Sequence, residues 1–197
     1  MTRFRGPALP FDALPGAAVL RDGPYVVALA VKQTGPHAGA FMRLPAAALA
    51  RGDFSGMDWW AGERRGWVKT GAVGASGPAL VIDDAGAEAS LDWDACRKVY
   101  VHVASTGFGA TEIAERTAPA LTGPWSPPRT LFRPPESDAP NPFVYAGRAH
   151  EDLAAPQGAR ALSYVANSFT PDDLMTNDGA ARLYWPRIAF VAAPSCE

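Results

Sequence analysis

The chain has 197 residues, of which 48% are hydrophobic, so it is long enough to fill one sizeable core or part of a larger one. Its formal charge is −2 and the charged residues are interspersed, so no basic stripe could follow a phosphate backbone and we expect no nucleic-acid partner. Nineteen glycines and nineteen prolines, spread without a period, indicate many turns between short strands and little helix.

The amino-terminal segment MTRFRGPALPFDALPG carries arginine but lacks the continuous apolar run of a secretory signal. No stretch of the chain approaches the roughly eighteen apolar residues that a membrane span needs. We therefore predict no membrane span, and the compartment stays undetermined.

Cys96 and Cys196 are the two cysteines of the chain, and their wide separation matches neither a metal-binding spacing nor a redox pair. They could be two buried thiols or one disulfide. We favour free thiols.

The first predicted unit begins with two apolar runs, PGAAVL and YVVALAV, on either side of Asp22 and Gly23. This pattern predicts a β-hairpin, because glycine lowers the cost of the turn. Residues 41–49 could continue as a third strand, although their alanines suit a short helical turn better. The aromatic segment 57–68 is consistent with an outer strand and its loop.

The second predicted unit opens at PALVIDD (78–84) and continues with KVYVHVAS (98–105). In the latter, Val101 and Val103 alternate with His102 and Ala104, which predicts a strand whose two faces meet different neighbours. We expect His102 to be packed or hydrogen-bonded there.

The third predicted unit contains FVYAGRAHEDL (143–153), ALSYVANSF (161–169) and, after a polar loop, LYWPRIAFVA (183–192). Pro186 predicts an edge position or a bulge for the last strand, because proline cannot donate to a strand ladder.

The three units recur at intervals of about 60 to 75 residues, as expected of modules that must stack to bury their apolar faces. We therefore predict an all-β fold with little helix. It is expected to be one partial propeller domain over 1–197, with about three four-stranded blades at approximately 15–70, 78–133 and 143–193.

Four phrases, TEIAERTAPALTGPW, YAGRAHEDL, SYVANSF and YWPRIAFV, resemble in this order the carboxy-terminal part of the DUF4185 family. The resemblance covers about residues 16–191. It implies a five-bladed β-propeller related to propeller glycoside hydrolases. It also implies an activity similar to that of endo-D-arabinofuranases, which cleave cell-wall D-arabinan. Members of the family are usually exported.

A five-bladed propeller needs roughly 300 residues, so the resemblance implies that amino-terminal blades are missing. In related propeller glycosidases the catalytic carboxylates lie on the inner strands of the first three blades. Two of these would be absent here, and Asp12 is the acid nearest to the expected position of the third. The catalytic residues therefore stay unassigned.

Arg148 and His150 lie two residues apart, so they share one face of what should be the innermost strand of the last unit. They could hold sugar hydroxyls or tune a carboxylate, whereas His150 could equally satisfy backbone groups in a tight core. In the family pattern a proline and then a glutamate follow this histidine, but here Glu151 and Asp152 follow. We take Arg148, His150 and Glu151 as substrate-binding candidates.

Tyr145 and Arg187 complete the set of substrate-binding candidates. Tyr184, Trp185 and Arg187 suit sugar stacking, although packing between blades is the favoured interpretation. We expect Glu115 and Arg116 to form an ion pair between blades. We expect the remaining tryptophans to fill space between layers: Trp59, Trp60, Trp67, Trp93 and Trp125.

The sequence predicts a glycoside hydrolase-like propeller fragment that acts on or binds a furanose-containing polysaccharide or oligosaccharide, such as D-arabinan. The alternative is a non-catalytic carbohydrate-binding or structural module, which could self-associate through open blade edges. No cofactor or metal is predicted, because three histidines without a nearby cysteine do not make a zinc site. The acidic segment 172–179 has the wrong spacing for an EF-hand and leaves calcium as a minor alternative.

Overall fold

Three antiparallel sheets follow one another along the chain in the computed structural model, which describes residues 8–106, 109–176 and 182–195. Twelve strands and two one-turn α-helices lie within these residues. The all-β architecture expected from the sequence is confirmed. Among the described sheets only the middle one has four strands, because the first has five and the third has three.

The first sheet has the order β1-β2-β3-β4-β5. Its strands are Leu14–Asp22 (β1), Tyr25–Val31 (β2), Gly39–Pro45 (β3), Asp58–Trp60 (β4) and Trp67–Lys69 (β5). Asp22 pairs with Tyr25 across the turn at Gly23, which confirms the predicted hairpin. The third strand passes directly into helix α1 (Ala46–Leu49), so the segment for which strand and helix were both considered contains one of each.

The second and third sheets have the orders β6-β7-β8-β9 and β10-β11-β12. Their strands are Ala89–Asp94 (β6), Val99–Ser105 (β7), Ile113–Ala118 (β8), Arg129–Phe132 (β9), Pro142–His150 (β10), Ala159–Ser168 (β11) and Arg187–Ala192 (β12). Helix α2 spans Asp172–Met175, and short 3-10 turns occupy Thr70–Ala72 and Pro135–Asp138.

The segment PALVIDD (78–84), at which the second unit was expected to open, forms no strand of the described sheets. Within that segment Ile82 makes a single isolated bridge to Gly39, and the first strand of the second sheet is β6. The segment links the first two sheets, and its buried Ile82 packs into the core between them. The apolar residues Val81 and Ile82 therefore belong to a linker between two sheets.

The sheets pack face to face, and β7 shows how they divide the apolar side chains. Ala104 packs against the first sheet beside Leu29 and Phe41. Val101 and Val103 pack against Leu162 and other residues of the third sheet. This confirms the prediction that the two faces of this strand meet different neighbours.

The first strands of the three sheets, β1, β6 and β10, lie next to one another along the inner side of the molecule. The later strands of each sheet lie progressively outward. Successive sheets whose first strands lie side by side, with the later strands farther out, have the arrangement of propeller blades.

The first and third sheets each have one face that no other described sheet covers, and these two faces differ in exposure. The outer face of the first sheet is covered by side chains of its own chain, among them Leu9, Phe11 and Phe54. The third sheet instead exposes Ile188 and Phe190, at 54% and 53%, on its edge strand β12. The prediction from Pro186 of an edge position is confirmed, since β12 begins directly after it and, among the described strands, pairs with β11 alone.

The tryptophans divide between core and surface. Trp59 is fully buried, and Trp125 packs into the core between the first two sheets. Trp93 is 45% exposed, so the expectation that it fills space between layers is wrong for this residue. Tyr184 and Trp185 are also exposed, which contradicts the favoured packing interpretation.

Cys96 is disulfide-bonded, so the expectation of free thiols is wrong. It lies in the exposed turn after β6 and not in the core, so it is not a buried thiol either. The other cysteine, Cys196, lies outside the described residues.

No described helix is long and apolar enough to cross a membrane.

The buried ring of His102 should make stability depend on pH. Burial lowers its pKa to about 4, and this effect outweighs the hydrogen bond that Nε2 donates to the carbonyl of Ala85 over 2.9 Å. Because the pKa is lower in the folded chain than in the unfolded one, stability is full above about pH 6.5 and is lost towards pH 4. We expect the free energy of unfolding to fall by about 3 kcal/mol over this interval.

Urea unfolding at several pH values measures this dependence. His102→Gln keeps a donor for Ala85 and should flatten the change, whereas His37→Asn, in a surface turn, should keep it. An unchanged slope in His102→Gln would contradict the assignment.

Candidate functional site

A cleft of about 490 Å³ lies where the three inner strands converge. It is lined by residues 16–19 of β1, 89–92 of β6 and 148–152 at the end of β10 and the turn that follows. We call it the central cleft. The side chains from β1 are small or apolar, so the polar and charged groups of the cleft come from the second and third sheets.

Asp92, which the sequence patterns did not single out, lines the central cleft from β6. Burial raises its pKa, and the negative charges of Glu151 and Asp152 raise it further. Arg160 and His150 act in the opposite direction. Asp92 therefore keeps its proton to a higher pH than an ordinary aspartate. The alternation in ASLDWD was the signal that could have identified this residue.

Arg148 and His150 both line the central cleft. In the strand register Arg148 pairs with Ser163 and His150 pairs with Ala161. Ser163 in turn pairs with Ile188 of β12. Arg148 and His150 therefore lie on the face of the sheet that also carries Ile188. His150 Nε2 lies 2.7 Å from the hydroxyl of Ser163, which orients the half-buried ring. The interpretation in which His150 satisfies backbone groups does not hold, because its partner in the structure is a side chain.

Glu151 and Asp152 form the exposed rim of the central cleft, in the turn after β10. One Glu151 oxygen lies 3.6 Å from Nη1 of the buried Arg160, whereas Glu151 itself is 52% exposed. The cleft thus brings together Asp92, whose pKa is raised, with Glu151, Arg148 and His150. Of the predicted candidates, Arg148, His150 and Glu151 lie here.

Behind the cleft, the carboxylate of Glu115 is almost fully buried among three arginines. Arg160 Nη2 lies 2.6 Å from one carboxylate oxygen, and Arg129 Nη2 and Arg97 Nη1 lie 2.9 and 3.2 Å from the other. Burial alone would raise the pKa of Glu115, but hydrogen bonds from these guanidinium groups overcome it and lower the pKa to about 2.

The expected ion pair between Glu115 and Arg116 does not form. Successive residues of a strand point to opposite faces, so Glu115 meets the third sheet and Arg116 turns towards the first. Glu115 does join two blades, through Arg160 of β11. Arg116 donates to the carbonyls of Asp83 and Ser126 over 2.9 and 3.2 Å.

Tyr145 and Arg187 lie away from the central cleft. Tyr145 lines a separate pocket of about 160 Å³ near the start of β10, together with His37 and Glu88. Arg187 Nε lies 3.0 Å from Glu136 Oε1, in the lining of a pocket of about 710 Å³ that Leu183 also lines. The five candidate residues are therefore divided among three places.

The carboxylate of Asp12 holds a turn of the first sheet. It accepts hydrogen bonds from the hydroxyl of Thr34 over 2.6 Å and from the backbone N–H groups of Gln33 and Thr34 over 3.1 and 3.0 Å. These bonds lower the pKa of Asp12. This carboxylate therefore ties the amino-terminal segment to the β2–β3 turn.

No group of three His, Cys, Asp or Glu side chains in the described part of the chain could hold a metal ion. The acidic segment considered for calcium, 172–179, lies partly outside the described residues.

Comparison with solved structures finds chains to parts of which this chain is similar in fold. A provisionally assigned hydrolase from Bacteroides ovatus ATCC 8483 aligns with 91% of this chain at a TM-score of 0.66 and 15% identity. An exo-β-1,3-galactanase from Phanerochaete chrysosporium, solved with β-1,3-galactotriose, aligns with 82% of the chain at a TM-score of 0.43 and 12% identity. The chain spans 44% of the first structure and 33% of the second. No protein-family model and no curated protein matches the sequence.

Proposed function

We propose that this chain is a DUF4185-like propeller module that binds a furanose-containing polysaccharide, such as D-arabinan, in the central cleft and hydrolyses it. The observation that carries the proposal is that Asp92 and Glu151 line the same cleft and that the charge of Glu151 helps to raise the pKa of Asp92. Glycoside hydrolysis needs one carboxyl group that is protonated and one that is ionised, and the raised pKa of Asp92 suits it to the first role.

In this proposal Asp92 donates a proton to the leaving-group oxygen. Glu151 acts as the carboxylate that activates water or stabilises positive charge on the sugar ring. Arg148 and His150 hold sugar hydroxyl groups, with the His150 ring oriented by Ser163. The disulfide at Cys96 supports a site of action in an oxidising compartment, where an extracellular polysaccharide would be met.

A non-catalytic binding module is the second candidate, and the open face of the third sheet favours it. Ile188 and Phe190 are exposed on the same face as Arg148 and His150, so the described residues do not enclose that side of the cleft. An enzyme usually excludes water around its reacting groups. Binding a polymer needs no such enclosure.

The test is to incubate the purified chain with D-arabinan, L-arabinan and an unrelated glucan. Calorimetry measures binding, and the release of reducing ends measures hydrolysis. We expect His150→Ala to weaken binding of the preferred glycan about tenfold, because one hydrogen-bonding group is lost. Asp83→Asn, on an exposed turn, is the matched control and should bind as the wild type does.

Binding without hydrolysis would leave the binding module as the function. Absence of binding to all three glycans, from a chain that is folded by circular dichroism, would overturn both candidates.

A further inference from the structure

Arg160 of β11 joins two carboxylates that belong to different parts of the molecule. Its side chain is only 4% exposed. Nη2 lies 2.6 Å from Glu115 Oε2 in the interior, and Nη1 lies 3.6 Å from Glu151 Oε1 at the rim of the central cleft. The planar guanidinium group can serve both at once, because its donors are held in a fixed fork.

The two ends of this bridge are unequal. Glu115 is fixed by three guanidinium groups, and one of them, from Arg97, is itself held by Asp94 at 2.6 Å. Glu151 is about half exposed, and its single described ion pair is the one with Arg160. Glu115 therefore fixes Arg160, and Arg160 can hold the exposed side chain of Glu151 in place.

Arg160 also contributes to the charge around Asp92. The titratable groups that face Asp92 are Glu151, Asp152 and His150 from the third sheet and the turn after β10, and Arg148 lines the same cleft. The β1 segment opposite, 16–19, adds no ionisable side chain. Arg160 is thus the buried positive charge that opposes the two carboxylates at the rim.

We propose that Arg160, anchored by Glu115, is a positioning residue that holds the Glu151 carboxylate at the rim of the central cleft and moderates the negative charge that reaches Asp92. The catalytic part of this inference rests on the proposed function. The coupling between the side chains does not, because it exists in the protein without substrate.

Carboxyl-carbon NMR titration of Asp92, assigned with Asp92→Asn, tests the coupling directly. We expect Arg160→Met to shift the Asp92 titration to higher pH, since the opposing positive charge is removed. Arg160→Lys should restore it towards the wild-type position. Glu151→Gln should shift it to lower pH, and Arg187→Met, which removes a comparable ion pair with Glu136 away from the cleft, should leave it unchanged.

A second measurement leaves Arg160 in place, in case Arg160→Met does not fold. The guanidinium 15N–1H signals of Arg160 should shift in Glu151→Gln, while those of Arg187 stay still. Unmoved Arg160 signals, or a folded Arg160→Met variant in which Asp92 titrates as in the wild type, would overturn the proposal.

The glycan assays and the titrations separate the two conclusions. If no glycan binds but the Asp92 titration responds as described, the proposed function fails and the positioning role stands. If glycan is hydrolysed normally by Arg160→Met, with the Asp92 titration unchanged, the positioning role fails alone.

Discussion

Replacing Glu115 with glutamine should be among the most destabilising single changes in this protein. The substitution leaves Arg97, Arg129 and Arg160 around a neutral group, and Arg160 is buried. Breaking a buried ion pair by removing one partner costs about 3 to 5 kcal/mol, because the remaining charge is uncompensated. For a chain of this size we expect the melting temperature to fall by about 6 to 20 °C in calorimetry.

Glu112→Gln provides the matched control, since Glu112 lies near the same strand and its ion pair with Arg133 is exposed, at 3.9 Å. Exposed pairs contribute about 0 to 1 kcal/mol, so this variant should melt close to the wild type. If Glu115→Gln and Glu112→Gln melted at the same temperature, the three-arginine cluster would not be the stabilising feature that its geometry indicates.

The pH dependence of the Glu115 contribution has a definite sign. The pKa of Glu115 is about 2 in the folded chain, below its ordinary value of 4.5. Its contribution to stability is therefore complete above about pH 4.5 and is lost as the pH falls towards 2. Over that interval the free energy of unfolding of Glu115→Gln should change less than that of the wild type.

Asp92→Asn should remove most of the hydrolytic activity that we propose for the central cleft. Asparagine cannot donate the proton, so we expect kcat on the preferred glycan to fall by about 10² to 10⁴. The Michaelis constant should change little, because the amide keeps the size of the carboxyl group. Rates of reducing-end release over a substrate series measure both quantities.

The pH profile adds a signature that misfolding would not produce. An acid catalyst must be protonated, so activity should decline as the pH rises through the raised pKa of Asp92. Glu151 is one of the charges that raise this pKa. In Glu151→Gln, whatever activity remains should decline at a lower pH than in the wild type.

Asp83→Asn, on an exposed turn, should retain wild-type rates and pH profile. A folded Asp92→Asn variant within about threefold of the wild-type rate would exclude Asp92 as the proton donor.

Local patterns predicted much of the fold. The period of two in β7 assigned Val103 and His102 to opposite faces, and the structure places them in different interfaces. The Asp22–Gly23 turn and the edge position after Pro186 were also predicted, because both depend on backbone geometry at one or two residues.

The candidate site was predicted only in part. Arg148 and His150 share a face by strand periodicity, and the cleft that they line was expected from their place on an inner strand. Asp92 was missed because the sequence patterns did not identify the short strand β6, which follows the apolar linker that contains Ile82. Tyr145 and Arg187 were grouped with the others by residue type, but they lie at different pockets.

The sequence by itself determined that this chain forms stacked antiparallel sheets with short strands, because strand periodicity and turn residues act over a few neighbours. The tertiary structure alone decided that Arg160 joins Glu115, 45 residues away in the chain, to Glu151. It also decided that the pKa of Asp92 is raised, since burial and the distances between charges set a pKa. Those quantities exist only after the sheets have packed.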